Sequence, residues 1–155
     1  MADSRFVYVS YIRTTPEKLW QALIEPEFTR RYWAGTTQRS EWKRGASWGA
    51  YTPDGRLWDS GEILEADRPR RLTLTWRKES DKFPEMKAEG FSRLTYELEQ
   101  QGDTVKLTLT HEMDVDNSRL IGAVGEGWPM VLASLKSMLE TGEPLAGSTK
   151  WPEDL

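Results

Sequence analysis

The chain has 155 residues, with 21 Lys and Arg against 25 Asp and Glu, no cysteine and a single histidine. The net charge of −4 argues against a general nucleic-acid binder, which needs a basic face to neutralise phosphates. Lack of cysteine excludes a disulfide framework, a thiolate nucleophile and a Cys/His zinc site, while the length fits one domain with a sizeable core.

The segment Met1–Arg5 has no apolar signal-peptide region, and no apolar run reaches the roughly 20 residues of a membrane span, so a cytoplasmic protein without membrane contact is expected. Phe6–Arg13 (FVYVSYIR) is rich in aromatic and β-branched residues and reads as a strand. Thr14-Thr15-Pro16-Glu17 then offers a hydroxyl cap, a proline for the first turn and an early acid, opening a short helix with Leu19, Trp20, Leu23 and Ile24 on its apolar side. Pro26 restarts a second short helix carrying Phe28, Tyr32 and Trp33, so the pair should form a V-shaped support.

From residue 36 the signals are strands and turns. Thr36–Trp42, Ser47–Thr52 and Arg56–Glu65 read as strands, with Pro53-Asp54-Gly55 a strong hairpin turn. On the third of these neither parity is cleanly apolar, so Asp59 or Glu62 is placed inward, and Gly61 is a candidate bulge or bend. Arg71–Lys78 alternates with Leu72, Leu74 and Trp76 on one side. Ser80–Gly90 is polar with one proline and reads as a mobile loop, a candidate lid. Phe91–Glu99 turns Leu94, Tyr96 and Leu98 inward, and Thr104–Met113 puts Val105, Leu107, Leu109, His111 and Met113 on one face.

Gly127–Pro144 (GWPMVLASLKSMLETGEP) reads as one long helix. Val124, Trp128, Val131, Leu135 and Met138 recur at steps of three and four, with Leu132 and Leu139 beside them. Pro129 suits a first turn, and Gly142 followed by Pro144 is a stop. The segment 146–155 reads as a loosely ordered tail with Trp151 as its anchor, leaving residues 1–145 as a single domain. The class is α+β: a curved antiparallel sheet of about seven strands around a long C-terminal helix, with two short helices after the first strand.

The phrases TTPEKLWQALIEPEFTRRYW (Thr14–Trp33), PDG (Pro53–Gly55), PRRLTLTW (Pro69–Trp76) and GWPMVLASLKSMLETGEP (Gly127–Pro144) resemble the bacterial activator-of-Hsp90-ATPase-like family, in order and over nearly the whole chain. That family belongs to the START/polyketide-cyclase (SRPBCC) superfamily. The resemblance implies the helix-grip fold, a sheet wrapped around the C-terminal helix, and an interior cavity.

Two groups of residues stand out for chemistry. Eight tryptophans are several times the usual share, and a large apolar body with one N–H donor suits core and ligand pocket alike. In a helix-grip fold Trp20, Trp33, Trp76, Tyr96, Leu109, His111, Trp128 and Leu132 converge on the cavity as candidate ligand-binding residues. His111 is the candidate catalytic group, an imidazole able to orient a ligand or act as a base near neutral pH; a core histidine satisfied by a carbonyl or a tryptophan is the alternative. No GxGxxG, P-loop, GxSxG or EF-hand pattern is present, so neither cofactor nor metal is expected.

The leading expectation is a binder of a small hydrophobic or aromatic ligand. A cyclase, dehydratase or hydrolase using His111, with Tyr96 or Tyr51 as donor, is the first alternative. A co-chaperone or protein-interaction module is the second, without the extra N-terminal domain of the eukaryotic activator. Edge strands and exposed aromatics are compatible with a homodimer. Arg30-Arg31 and Arg68, Arg70 and Arg71 read as solvated edges and turns.

Overall fold

A computed structural model describes residues 3–155; the first two positions of the N-terminal segment discussed above lie outside the described residues. Strand β1 (Ser4–Ile12) leads to helices α1 (Pro16–Ile24) and α2 (Pro26–Tyr32). Thr15 caps α1 by accepting from the Lys18 N–H, and the Tyr32 hydroxyl donates to the Ala22 carbonyl at 2.7 Å, which fixes the V between the two helices. Strands β2 (Thr37–Ser40), β3 (Ser47–Tyr51), β4 (Leu57–Asp67), β5 (Arg71–Lys78), β6 (Ser92–Gln101) and β7 (Thr104–Met113) complete one seven-stranded sheet in the order β1-β7-β6-β5-β4-β3-β2, and every neighbouring pair is antiparallel. This is the helix-grip fold.

The segment 80–90 is more structured than its polar composition suggests. Pro84–Ala88 forms a short helix, α3, and Glu89 beyond it accepts from the backbone N–H groups of Arg119 and Leu120 and from the Ser118 hydroxyl. A carboxylate there meets the free donors and the positive end of the next helix, which ties the loop down.

That helix, α4, runs Arg119–Thr141 and so begins eight residues before the stretch read as helical from sequence. Pro129 is therefore interior rather than in the first turn. Gly122, Gly125 and Gly127 weaken the local helical signal, and packing overrides them. At Gly125 the missing side chain admits the Phe6 ring, whose Cδ1 would lie 3.1 Å from a Cβ. Ser118 caps the start, and Gly142 closes the end at φ 88° with its N–H on the Met138 carbonyl. Arg31 donates to the Gly142 carbonyl at 2.7 Å. Arg68, Arg70 and Arg71 pair with Glu17, Asp67 and Glu65 at the surface.

The inner face of β5–β7 and the underside of α4 bury Leu72, Leu74, Leu94, Leu107, Leu109, Leu132 and Leu135, the bulk of the core. The sheet curls because β4 carries two irregularities. Ala50 pairs with Asp59 but Tyr51 with Leu57, so Trp58 is an extra residue in the ladder; Ile63 pairs with Leu74 but Glu65 with Thr73, so Leu64 is another. Between them, Gly61 lets β5 and Trp48 approach closely. A Cβ there would fall on the Thr75 carbonyl and lie 2.7 Å from the Trp48 indole nitrogen, which itself donates to that carbonyl at 2.7 Å. We expect Gly61→Ala to lower stability by roughly 1–3 kcal/mol, read as an earlier urea midpoint at unchanged m; an unshifted midpoint would show that the strands part there at no cost.

Candidate functional site

A cavity of about 150 Å³ lies between the sheet and α4. Its helical wall is Val124, Gly127, Trp128 and Val131, a spacing of three and four that puts all of them on one side of α4. The sheet wall is Gln38, Ala50, Trp58, Asp59, Trp76 and Lys78. Trp33 and Thr36, at the end of α2, close one side, and Trp151 from the C-terminal segment closes another.

Sequence periodicity alone would put neighbouring Trp58 and Asp59 on opposite faces of β4. The extra residue at Trp58 breaks that alternation, and both line the cavity. Of the two acids placed inward as alternatives, Asp59 is buried and Glu62 is exposed. Lys78 is the cross-strand partner of Asp59, and its Nζ lies 2.8 Å from Asp59 Oδ1 as a buried ion pair. The contact is ionic without being an aligned hydrogen bond, for Oδ1 has no hydrogen-bond donor on it. Burial raises the Asp59 pKa above its ordinary value, outweighing the lowering by Lys78 and by the Trp76 indole N–H. The Lys78 ammonium also sits 5.0 Å from the centre of the Trp58 ring.

The aromatic walls brace one another. Trp33 stacks on Trp76 at 6.1 Å and meets Trp128 at 5.0 Å, and Trp151 meets Trp58 edge-on at 4.7 Å. Trp48 backs Trp76 from behind at 4.9 Å. Three of the sequence-derived candidates, Trp33, Trp76 and Trp128, thus line the cavity. Tyr96 stands edge-on behind Trp128, and burial raises its phenol pKa. Trp20, Leu109 and Leu132 are core residues away from it. Tyr51 faces the other side of β3 from Ala50, under the Arg39 guanidinium.

His111 is fully buried behind Trp128 and Trp76. The Trp128 indole N–H donates to its Nδ1 at 3.1 Å. Nδ1 is therefore the accepting nitrogen, and the ring proton sits on Nε2, which donates to Ser92 Oγ at 2.7 Å. The Ser92 hydroxyl in turn donates to the Trp76 carbonyl at 2.8 Å. Both ring nitrogens are engaged, and burial, with the Lys78 charge second, holds the pKa down at about 3.

Residues that periodicity did not single out are Lys78, Trp58, Gln38 and Thr36. Lys78 had a signal, the parity it shares with Leu72, Leu74 and Trp76. The tail folds back: Ala34 donates its N–H to the Ser148 carbonyl at 2.6 Å, Leu145 to Ser134 Oγ at 3.0 Å, and Arg56 reaches the Leu155 carbonyl at 3.0 Å. These bonds bring Trp151 to the cavity.

An unfolded chain takes up a proton on His111 near pH 6.5 that the folded chain refuses until about pH 3. This group leaves stability unchanged above about pH 6.5 and erodes it by up to ~1.4 kcal/mol per unit as pH falls toward 3. We expect His111→Gln to flatten that acid limb in urea titrations between pH 6 and 4; an unaltered slope would mean that the buried ring is charged.

Among the described residues no helix is long and apolar enough to cross a membrane. No curated protein matches the chain in sequence. Solved structures share its fold. Protein MLL2253 from Mesorhizobium loti superposes with a TM-score of 0.74 at 21% identity, over 88% of this chain and 97% of the other. CalU16 from Micromonospora echinospora gives 0.70 at 23%, over 93% and 78%. The Aha1 dimer from Colwellia psychrerythraea gives 0.67 at 17%, over 90% and 98%. The model of one family, described as activator of Hsp90 ATPase homolog 1-like protein, matches residues 13–140, and the chain belongs to that family.

Proposed function

We propose that this protein binds a small hydrophobic or aromatic molecule in the cavity between sheet and α4. The observation that carries the reading is a void walled by five tryptophans, at positions 33, 58, 76, 128 and 151. A cavity bounded by apolar ring faces with a few convergent polar groups is what a ligand site requires. Cytoplasmic residence belongs to the same reading. So does a homodimer, in keeping with the dimer described for the Colwellia protein and with the exposed Val7, Val9 and Tyr11 of β1.

The enzymatic alternative built on His111 requires a free ring nitrogen, and the indole and the serine hydroxyl occupy both. A co-chaperone role would rest on a contact surface rather than on this cavity.

The test is native mass spectrometry of gently purified protein, followed by thermal shift and tryptophan emission with a panel of apolar and aromatic compounds. A binder present at a hundred times its Kd adds about 2.7 kcal/mol to stability. We expect a wild-type response that Ala50→Leu abolishes while remaining folded, because the larger side chain fills the void from the sheet wall. A panel without any response in the wild type would overturn the reading.

A further inference from the structure

Among the described residues, three buried side-chain polar atoms lack a hydrogen-bond partner: Asp59 Oδ1, Trp76 Nε1 and Trp151 Nε1. All three belong to residues that line the one cavity. The two indole N–H groups donate to nothing, which costs roughly 1–3 kcal/mol each, and Asp59 Oδ1 is met only by the Lys78 charge, so the three together specify what should lie in the cavity. Resting on the reading of this cavity as a ligand site, we propose that its ligand class is the neutral single-ring phenols, with the hydroxyl bridging Asp59 and Trp76.

The chemistry follows from the roles of the three atoms. Asp59 Oδ1 accepts, and the two indole nitrogens only donate. The Trp76 N–H is close enough to the Asp59 carboxylate to lower its pKa. A hydroxyl between them accepts from the indole and donates to the carboxylate, which satisfies both at once. An ether or a bare carbonyl would serve only Trp76, and a hydrocarbon would serve neither. The Trp151 N–H adds a donor for a further oxygen on the ring.

Charge selects in the same direction. Asp59 and Lys78 already compensate each other at 2.8 Å. A carboxylate ligand would place a second negative charge beside a buried one, which a low-dielectric site penalises. A phenol, with a pKa near 10 like that of tyrosine, enters uncharged at pH 7. Size selects too. A void of about 150 Å³ is of the kind that takes benzene, and its flanking Trp33, Trp76 and Trp128 rings suit one planar ring rather than a fused or long-chain ligand.

The experiment is calorimetric titration of the wild-type protein at pH 7 with p-cresol, toluene, benzoate, 2-naphthol and palmitate. We expect p-cresol to bind about tenfold or more tightly than toluene, the worth of two hydrogen bonds, and more tightly than benzoate and the two larger compounds. Asp59→Asn and Trp76→Phe should bring p-cresol down toward toluene. In the wild type, where folding of a variant is not in question, p-cresol but not toluene should displace one indole N–H resonance, assigned to Trp76. Equal affinity for p-cresol and toluene would overturn the phenol class while leaving an apolar ligand site standing. Tighter binding of benzoate would make Lys78 an anion site, and tighter binding of 2-naphthol or palmitate would overturn the single-ring limit; either result removes the proposal but keeps the cavity as a site. Failure of all five compounds to bind overturns both.

Discussion

The relay from the Trp128 indole through His111 and Ser92 to the Trp76 carbonyl is the constraint on which the rest depends. It joins α4 to β7, β6 and β5 by three hydrogen bonds, none of which meets solvent. A buried network of this kind is stabilising only when every member is satisfied, and here donors and acceptors match in one direction along the whole chain. It fixes the depth at which α4 sits on the sheet. It also fixes the Trp128 ring, which is held by its own N–H, and ties the β5 backbone at Trp76. The histidine is therefore a positioning residue, and its depressed pKa is a by-product of the burial that this role demands.

The two ends of the interior are built differently. Around Leu72, Leu74, Leu107, Leu132 and Leu135 the core is aliphatic and closed. Near the relay it changes to tryptophan, whose flat bodies pack in tilted and edge-on pairs and do not interdigitate as branched aliphatic chains do. Ala50 and Gly127 add little volume to opposite walls, and the void is what remains.

Much of this was legible in the sequence where a local rule and the global fold agree. The alternation in β5, β6 and β7 puts Leu74, Leu94 and Leu109 inward, and the structure does the same. The caps at Thr15 and Gly142 mark helix ends correctly because they are short-range hydrogen-bond devices. Legibility fails where tertiary contact decides. Three glycines hide the first two turns of α4, and they are tolerated because Phe6 and the Glu89 cap stabilise them from outside the helix. The ladder irregularity at Trp58 defeats a period-two reading of β4, and with it the pairing of Asp59 and Lys78. Trp151 sits in a tail rich in glycine, proline and charge, and tertiary bonds such as Ala34 to Ser148 and Arg56 to Leu155 locate it.

Several of the places where this chain breaks local rules lie together. The Trp58 irregularity, a buried carboxylate–ammonium pair, the interior Pro129, the bare Gly127 and two unpaired indole N–H groups lie on or beside one cavity. Each costs stability relative to an ordinary core residue: a buried ion pair is often no better than a hydrophobic pair of the same volume, and an interior proline forfeits a helical hydrogen bond. Their concentration at the tryptophan end is the pattern of a site kept for what it contacts. The ion pair then has a role that a leucine pair could not fill. It sets a fixed donor and a fixed acceptor in an otherwise apolar chamber, and so turns a void that any small hydrocarbon could enter into one that discriminates by hydrogen bonding.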